Sequence, residues 1–180
     1  MFLEIVTRHL TTRPTLLAQN QASLSQLQDN DWRQTLLIDT EGQGVPWANA
    51  NLGVYAPQFA GDYIWILDDD DLCIYPPLVG DIKAIATKHD PDIIFVRMDH
   101  GADGILPDDE NWGHAPGYGG IGTSAFIVRR SVWQAHAYAW IAVRESDYTF
   151  ISHVWDAGPR VYWHDVIASR IQQRGEGRPE

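Results

Sequence analysis

Cysteine is nearly absent: Cys73 stands alone among 180 residues. A single thiol cannot close an internal disulfide, so the fold must be held by its core rather than by staples. Cations are also scarce, with 13 Lys and Arg against 24 Asp and Glu, a formal net charge of −11. Nucleic-acid backbones and anionic membrane surfaces demand patches of Lys and Arg, so neither is expected as the main partner. No stretch approaches the roughly 20 apolar residues of a membrane-spanning helix. The opening MFLEIVTRHL carries no long apolar run behind a basic region, so no secretory signal is expected there. These shortages together point to a soluble, acidic, cytoplasmic protein.

The remaining composition is that of an ordinary globular chain, 44% hydrophobic and 21% charged, with eight tryptophans. The length fits one domain over residues 1–171, followed by a polar, Gly-containing tail at 172–180. Short apolar runs alternate with helix-like periods along the chain. Phe2 to Thr7 reads as a buried strand. The leucines and alanines after Pro14 recur on one helical face, and Thr35 to Ile38 is a second strand ending at Asp39. Strand, helix, strand predicts a parallel pairing. Ala48 to Ala60 is helix-like, Tyr63 to Leu67 is a third strand, Leu78 to Lys88 a helix, and Asp92 to Met98 a fourth strand. Residues 99–122 have no period and read as a long loop, a lid in waiting. Ala125 to Val128 is strand-like, Ser131 to Tyr138 and Ser146 to Ala157 are helix-like, and Val161 to Trp163 is a last short strand. The class is α/β, with a mainly parallel central sheet.

The third strand runs straight into Asp68-Asp69-Asp70-Asp71. In open α/β sheets, ligands bind beyond the carboxyl ends of the strands. Crowded carboxylates repel one another unless a cation sits among them, and hard divalent cations take oxygen ligands, often one or two carboxylates plus substrate phosphates. A metal and diphosphate anchor is therefore one reading of the run, and a solvated acidic turn is the other. A calcium loop is excluded, because its sixth and twelfth positions would be Cys73 and Val79 instead of Gly and Glu. A phosphatase of the haloacid dehalogenase type stays open as a rival, although Leu72 follows the run and the run follows the third strand, not the first.

The order of motifs resembles the GT-A glycosyltransferases, in particular the large inverting family 2. Thr7-Arg8 and Arg13-Pro14 are similar to that family's opening turn. Asp39 ends the second strand where the family places an acidic residue. Gly61-Asp62-Tyr63-Ile64-Trp65-Ile66-Leu67-Asp68-Asp69-Asp70-Asp71 resembles its G-D/E-Y-I-x-x-L-D-x-D-D stretch. Gly122-Thr123-Ser124-Ala125 with Arg129-Arg130 resembles its G-x-S-A-x-x-x-R-R stretch, and Glu145-Ser146-Asp147-Tyr148 its E-D-Y/W signature. The resemblance implies a GT-A fold and a metal-dependent, inverting transfer of a sugar from a nucleoside diphosphate sugar, UDP-sugar first among them, to a hydroxyl acceptor. That acceptor would be a glycan, a lipid-linked sugar or a small molecule. It implies Asp147, or Glu145 one place before the inserted Ser146, as catalytic base. It implies Thr7, Arg8, Asp39, Asp68, Asp69 and Ser124 on the nucleotide sugar, with Asp69 and Asp71 also suited to capping the turn. Asp70 and the late His164 are the implied ligands of Mn²⁺ or Mg²⁺. Among the tryptophans, Trp112 is the expected sugar-stacking candidate. A non-catalytic nucleotide- or carbohydrate-binding domain is the remaining alternative.

Overall fold

The computed structural model describes residues 1–171; the expected polar tail lies outside them. Eight strands form one sheet: β1 (Leu3–Leu10), β2 (Trp32–Asp39), β3 (Tyr63–Ile66), β4 (Asp71–Cys73), β5 (Ile93–Asp99), β6 (Ile105–Leu106), β7 (Phe126–Arg129) and β8 (Val161–Ile171). Five α-helices flank it: α1 (Pro14–Leu24), α2 (Val45–Tyr55), α3 (Leu78–His89), α4 (Arg130–His136) and α5 (Ser146–Asp156). The strand order is β2-β1-β3-β7-β5-β8-β4, with β6 paired to β5. β1 is parallel to both β2 and β3, and β5 is parallel to β8. β7 enters antiparallel between β3 and β5, so the sheet is mixed rather than uniformly parallel.

Period-2 alternation along β3 assigns the two faces. Tyr63, Trp65 and Leu67 join Leu24 of α1 and Leu78, Val79, Ile82 and Ile85 of α3 in one core. Ile64 and Ile66 join Leu52 of α2, Trp133 of α4 and Phe150, Ile151 and Val154 of α5 in the other. Helices on both faces of a largely buried sheet make three layers. Three buried aromatics, Trp133, Trp140 and Phe150, stack within the second core, which accounts for two of the tryptophans as packing groups.

One strand and most of another were not apparent in the sequence. β4 begins on Asp71 itself, and β8 runs on past Trp163 to Ile171, where it pairs with β4. β3 and β4 lie four strand spacings apart in the order, ~19 Å in a flat sheet. The five Cα steps from Ile66 to Asp71 reach only ~17 Å fully extended. The sheet therefore curls, and its far edge returns to the acidic run. Residues 99–122 are also more structured than a bare loop, with β6 pairing to β5 and a 3-10 turn at Gly101–Asp103. Among the described residues, no helix is long and apolar enough to cross a membrane.

Candidate active site

The carboxyl ends of β1, β2 and β3 open into a cleft. Arg8, His9, Arg13, Asp68, Asp69 and Asp70 line it from the ends of β1 and β3, and Leu37, Asp39, Val45 and Trp47 from β2 and α2. The lining thus combines charged groups with apolar ones, a combination suited to a ligand with an anionic part and a flat ring.

The four aspartates have four different environments. Asp68 receives a two-pronged contact from Arg8, whose Nε donates to Oδ1 at 2.6 Å and whose second terminal nitrogen donates to Oδ2. Asp69 is buried and fully engaged: Oδ2 takes His9 Nδ1 at 2.9 Å and the Leu10 N–H at 3.1 Å, and Oδ1 takes Arg13 at 2.8 Å. Asp71 is buried at the start of β4, and burial followed by its neighbours Asp68 and Asp70 pushes its carboxyl well up. Asp70 lies 3.5 Å from Arg13, with its side chain 14% exposed. Burial, then the charge of Asp68, pushes Asp70 up to about 6 against the opposing pull of Arg13. A carboxylate held so far above its ordinary value by burial and like charge is one that a cation would stabilise.

The turn carrying these groups is fixed from below. Asn20 of α1 is buried and donates to the carbonyls of both Asp68 and Asp71 at 2.9 Å. Its own carbonyl oxygen accepts from Gln34 at 2.7 Å, and Gln34 also donates to the Thr7 hydroxyl at 2.9 Å. Thr7 therefore lies under the site, not among the residues lining the cleft. Glu4 anchors the corner before β3 in a similar way, accepting the Ala60 and Gly61 N–H groups at 2.6 Å each. A Cβ at Gly61 would stand 2.5 Å from the Glu4 Cβ, so only glycine fits this corner.

Asp39 lines the cleft, but its carboxylate accepts the N–H groups of Glu41, Gly42 and Gln43 at 2.8 to 2.9 Å. It shapes the loop that leads into α2. Ser124 is buried behind the cleft, its hydroxyl 2.7 Å from that of Ser169. The structure does not bring His164 to the acidic run: its Nε2 is 3.0 Å from Asp81 of α3, and its ring edges Tyr75. Trp112 is also held elsewhere, under the Arg97 guanidinium at 4.3 Å and against Trp163. Trp47 of α2 lines the cleft instead.

Asp147 and Glu145 separate clearly. Asp147, in the first turn of α5, is pushed up by burial, while the Tyr148 N–H and the charge of Arg8 pull it back. It thus lies within electrostatic reach of the cleft through Arg8. Glu145 precedes the helix in an exposed position, 3.3 Å from the Tyr118 hydroxyl. Sequence reasoning did not single out Asn20, Gln34, Asn49 or Trp47. A buried amide has no sequence signature of its own, and Trp47 was indistinguishable from the core tryptophans.

In sequence, the chain matches no protein-family model and no curated protein. Its backbone is nonetheless closely matched among solved structures. The S. aureus TarS 1–349 structure in complex with UDP-GlcNAc superimposes with a TM-score of 0.67 over 97% of this chain at 12% identity. The mannosyltransferase PcManGT from Pyrobaculum calidifontis, in complex with GDP-Man and Mn²⁺, gives the same TM-score over 97% of this chain, also at 12% identity. A glycosyltransferase involved in glycosylation of the major capsid of PBCV-1 gives 0.60 over 97% of this chain and 95% of its own, at 13% identity. The fold is that of the GT-A glycosyltransferases. The chain spans 59% of the TarS 1–349 chain and 58% of PcManGT, so those larger proteins carry further structure that this GT-A domain does not match.

The donor set bears on a metal in one specific way. Among the described residues, no group of three or more His, Cys, Asp or Glu is placed to hold a metal ion. Of the aspartates that line the cleft, Asp68 faces Arg8 and Asp69 faces three protein donors, which leaves Asp70 with the longer contact to Arg13. One carboxylate with the remaining positions filled by water and substrate phosphates is a common arrangement for Mg²⁺. The residues fit a metal that arrives with its diphosphate.

Proposed function

We propose that this GT-A domain is a metal-dependent, inverting glycosyltransferase that moves a sugar from a nucleoside diphosphate sugar to a hydroxyl acceptor. The observation that carries the reading is the cleft at the ends of β1 to β3. It joins Asp70 and two arginines to apolar groups that include Trp47. The nucleobase belongs against Trp47 and Leu37, and the diphosphate between Arg13 and Asp70. The three similar enzymes support this placement by kind, since two of them are described with nucleoside diphosphate sugars bound.

In the transfer, the acceptor oxygen attacks the anomeric carbon from the face opposite the diphosphate. The new C–O bond forms as the bond to the phosphate oxygen breaks, and the hydroxyl proton passes to a carboxylate. Asp147 suits that role: burial raises its proton affinity, against the opposing pull of the Tyr148 N–H and the charge of Arg8. Glu145 is exposed and bonded to Tyr118, outside the electrostatic group formed by Arg8, Asp68 and Asp147. Asp70 would hold Mn²⁺ or Mg²⁺, which supplies charge stabilisation to the leaving diphosphate. Arg8 neutralises Asp68, so the run does not repel that anion with its full charge.

The test is calorimetry with UDP and GDP, each with and without Mn²⁺, followed by assay of donor turnover. Metal-dependent binding with release of nucleoside diphosphate is expected. Release of inorganic phosphate would instead support the phosphatase reading, and binding without any turnover would support a non-catalytic domain.

A further inference from the structure

We propose that Asn49 is a positioning residue that fixes the start of α5, and with it Asp147, against the donor cleft. Asn49 lies on α2, is buried, and has partners on both sides of its amide plane. Its carbonyl oxygen accepts from a terminal nitrogen of Arg8, whose other donors hold Asp68. Its amide nitrogen donates to the Val143 carbonyl at 2.8 Å and the Arg144 carbonyl at 3.1 Å. Those two carbonyls immediately precede Glu145, where α5 begins.

One side chain thus joins the acidic run, through Arg8, to a backbone segment 94 and 95 residues further along the chain. Asparagine suits the position because its planar group offers an acceptor and two donors together. Leucine would lose both ends, and aspartate would keep the acceptor for Arg8 but lose the donors. The neighbouring bonds at the start of α5 are local. The Ile141 N–H donates to Ser146 Oγ at 2.9 Å, and the Thr149 N–H to the Glu145 carbonyl at 3.1 Å. Local bonds define the helix start but do not tie it to Arg8; core packing of Phe150, Ile151 and Val154 seats the body of α5, and Asn49 ties its start to Arg8.

The role follows from how strongly catalysis depends on geometry. A displacement of about 1 Å in a reacting group can cost ~10²-fold in rate. The inference rests on the reading of Asp147 as proton acceptor, and its test has two arms so that the two ideas can fail separately. In the ligand-free protein, Asn49→Asp should speed hydrogen exchange at the Tyr148 and Thr149 amides by about tenfold, leaving β1 and β3 unchanged. Unchanged exchange at those two amides would overturn the proposal. In the second arm, single-turnover cleavage of UDP-GlcNAc and GDP-mannose with Mn²⁺ is compared with UDP and GDP affinity. Asn49→Asp should slow turnover roughly 10- to 100-fold while affinity is preserved. Parallel loss of affinity and rate would assign Asn49 to the donor cleft itself and overturn the positioning role. Should neither donor be cleaved by the parent protein, the proposed function fails and the exchange experiment still decides the role of Asn49. If the buried carboxylate prevents folding, Asn49→Ala breaks the same ties without a charge and carries the same two readings.

Discussion

The two halves of the sheet differ in how their charged groups are held. In the β7–β5–β8 half, most ion pairs sit at the surface: Arg160 reaches Asp90 and Asp92, Arg170 reaches Asp99, and Arg129 shares Asp90, while the buried Arg97 of β5 reaches out to the exposed Asp109 and Asp165. In the β2–β1–β3 half, polar groups are buried and chained together. Gln34 and Asn20 brace the acidic turn, and His9 and Arg13 saturate Asp69. Exposed pairs contribute little, whereas buried groups must be satisfied and so fix geometry. The half with the buried network is the half with the cleft. Within that network Asp68 and Asp69 are closely paired, while Asp70 lies at a longer distance from Arg13.

The largest expected effect tests whether that chain of contacts ends at Asp147. Asp147→Asn should slow sugar transfer by ~10² to 10⁴-fold, the usual range for a general base, with UDP affinity unchanged. Glu145→Gln should cost far less, because Glu145 is exposed and bonded to Tyr118. The reverse ranking in steady-state transfer assays would move the base to Glu145 and break the comparison at its functional end.

Stability comes next. Asp69→Ala removes the acceptor for His9, the Leu10 N–H and Arg13 at once. Removing one partner of a buried pair costs ~3 to 5 kcal/mol, read as a clear fall in denaturation midpoint. The surface counterpart, Asp99→Ala, loses an exposed contact to Arg170 and should cost no more than about 1 kcal/mol. Similar losses from both would mean the buried network is no stiffer than the surface pairs.

Much of this half could be read from sequence because its signals are local. Pro14 opens α1 as expected, β3 runs into the aspartates, and the order of motifs gave the GT-A fold. The other half was less legible. β8 was read as three residues because apolar Val161–Trp163 is followed by mixed polar and apolar positions from His164 onward; its pairing with β5 and β4 is a long-range fact. His164 had the right sequence position for a metal ligand, but β8 directs it to Asp81 on α3. Asp39 lies where the resemblance placed it, yet its oxygens face three backbone N–H groups. Sequence order fixes which strand end a side chain occupies, while its partner is fixed by packing across the sheet.

Asp70 gives the contrast a pH dependence. Its folded carboxyl, at about 6, lies above the ordinary 3.8, so the folded state binds the proton more tightly. Its contribution to stability is complete below about pH 4 and is lost as pH rises through about 6, by at most about 3 kcal/mol. Asp70→Asn should therefore make the ligand-free protein more stable than the parent near pH 8 and leave it about equal near pH 4. The same change should abolish Mn²⁺-dependent UDP binding, which in the parent should strengthen as pH rises through about 6. Melting curves and calorimetry at both pH values read the two effects. A variant that keeps metal-dependent binding would remove Asp70 from the metal site.

The smallest expected effect concerns the apolar lining of the same cleft. Trp47 and Leu37 belong to it, and the nucleobase is the part of the donor with a flat, apolar face. Stacking of a base on an aromatic ring is worth ~1 to 3 kcal/mol, so Trp47→Ala should weaken UDP or GDP binding by roughly 5- to 150-fold. Binding of pyrophosphate with Mn²⁺ should be unaffected, because it engages only the charged groups. Trp112→Ala, beside β5 and β8 and outside the cleft lining, loses its contacts with Arg97 and Trp163 and should leave nucleotide affinity unchanged. If Trp112→Ala weakened nucleotide binding while Trp47→Ala did not, the base would lie under the 99–122 segment. The charged and apolar parts of the lining would then not belong to one ligand.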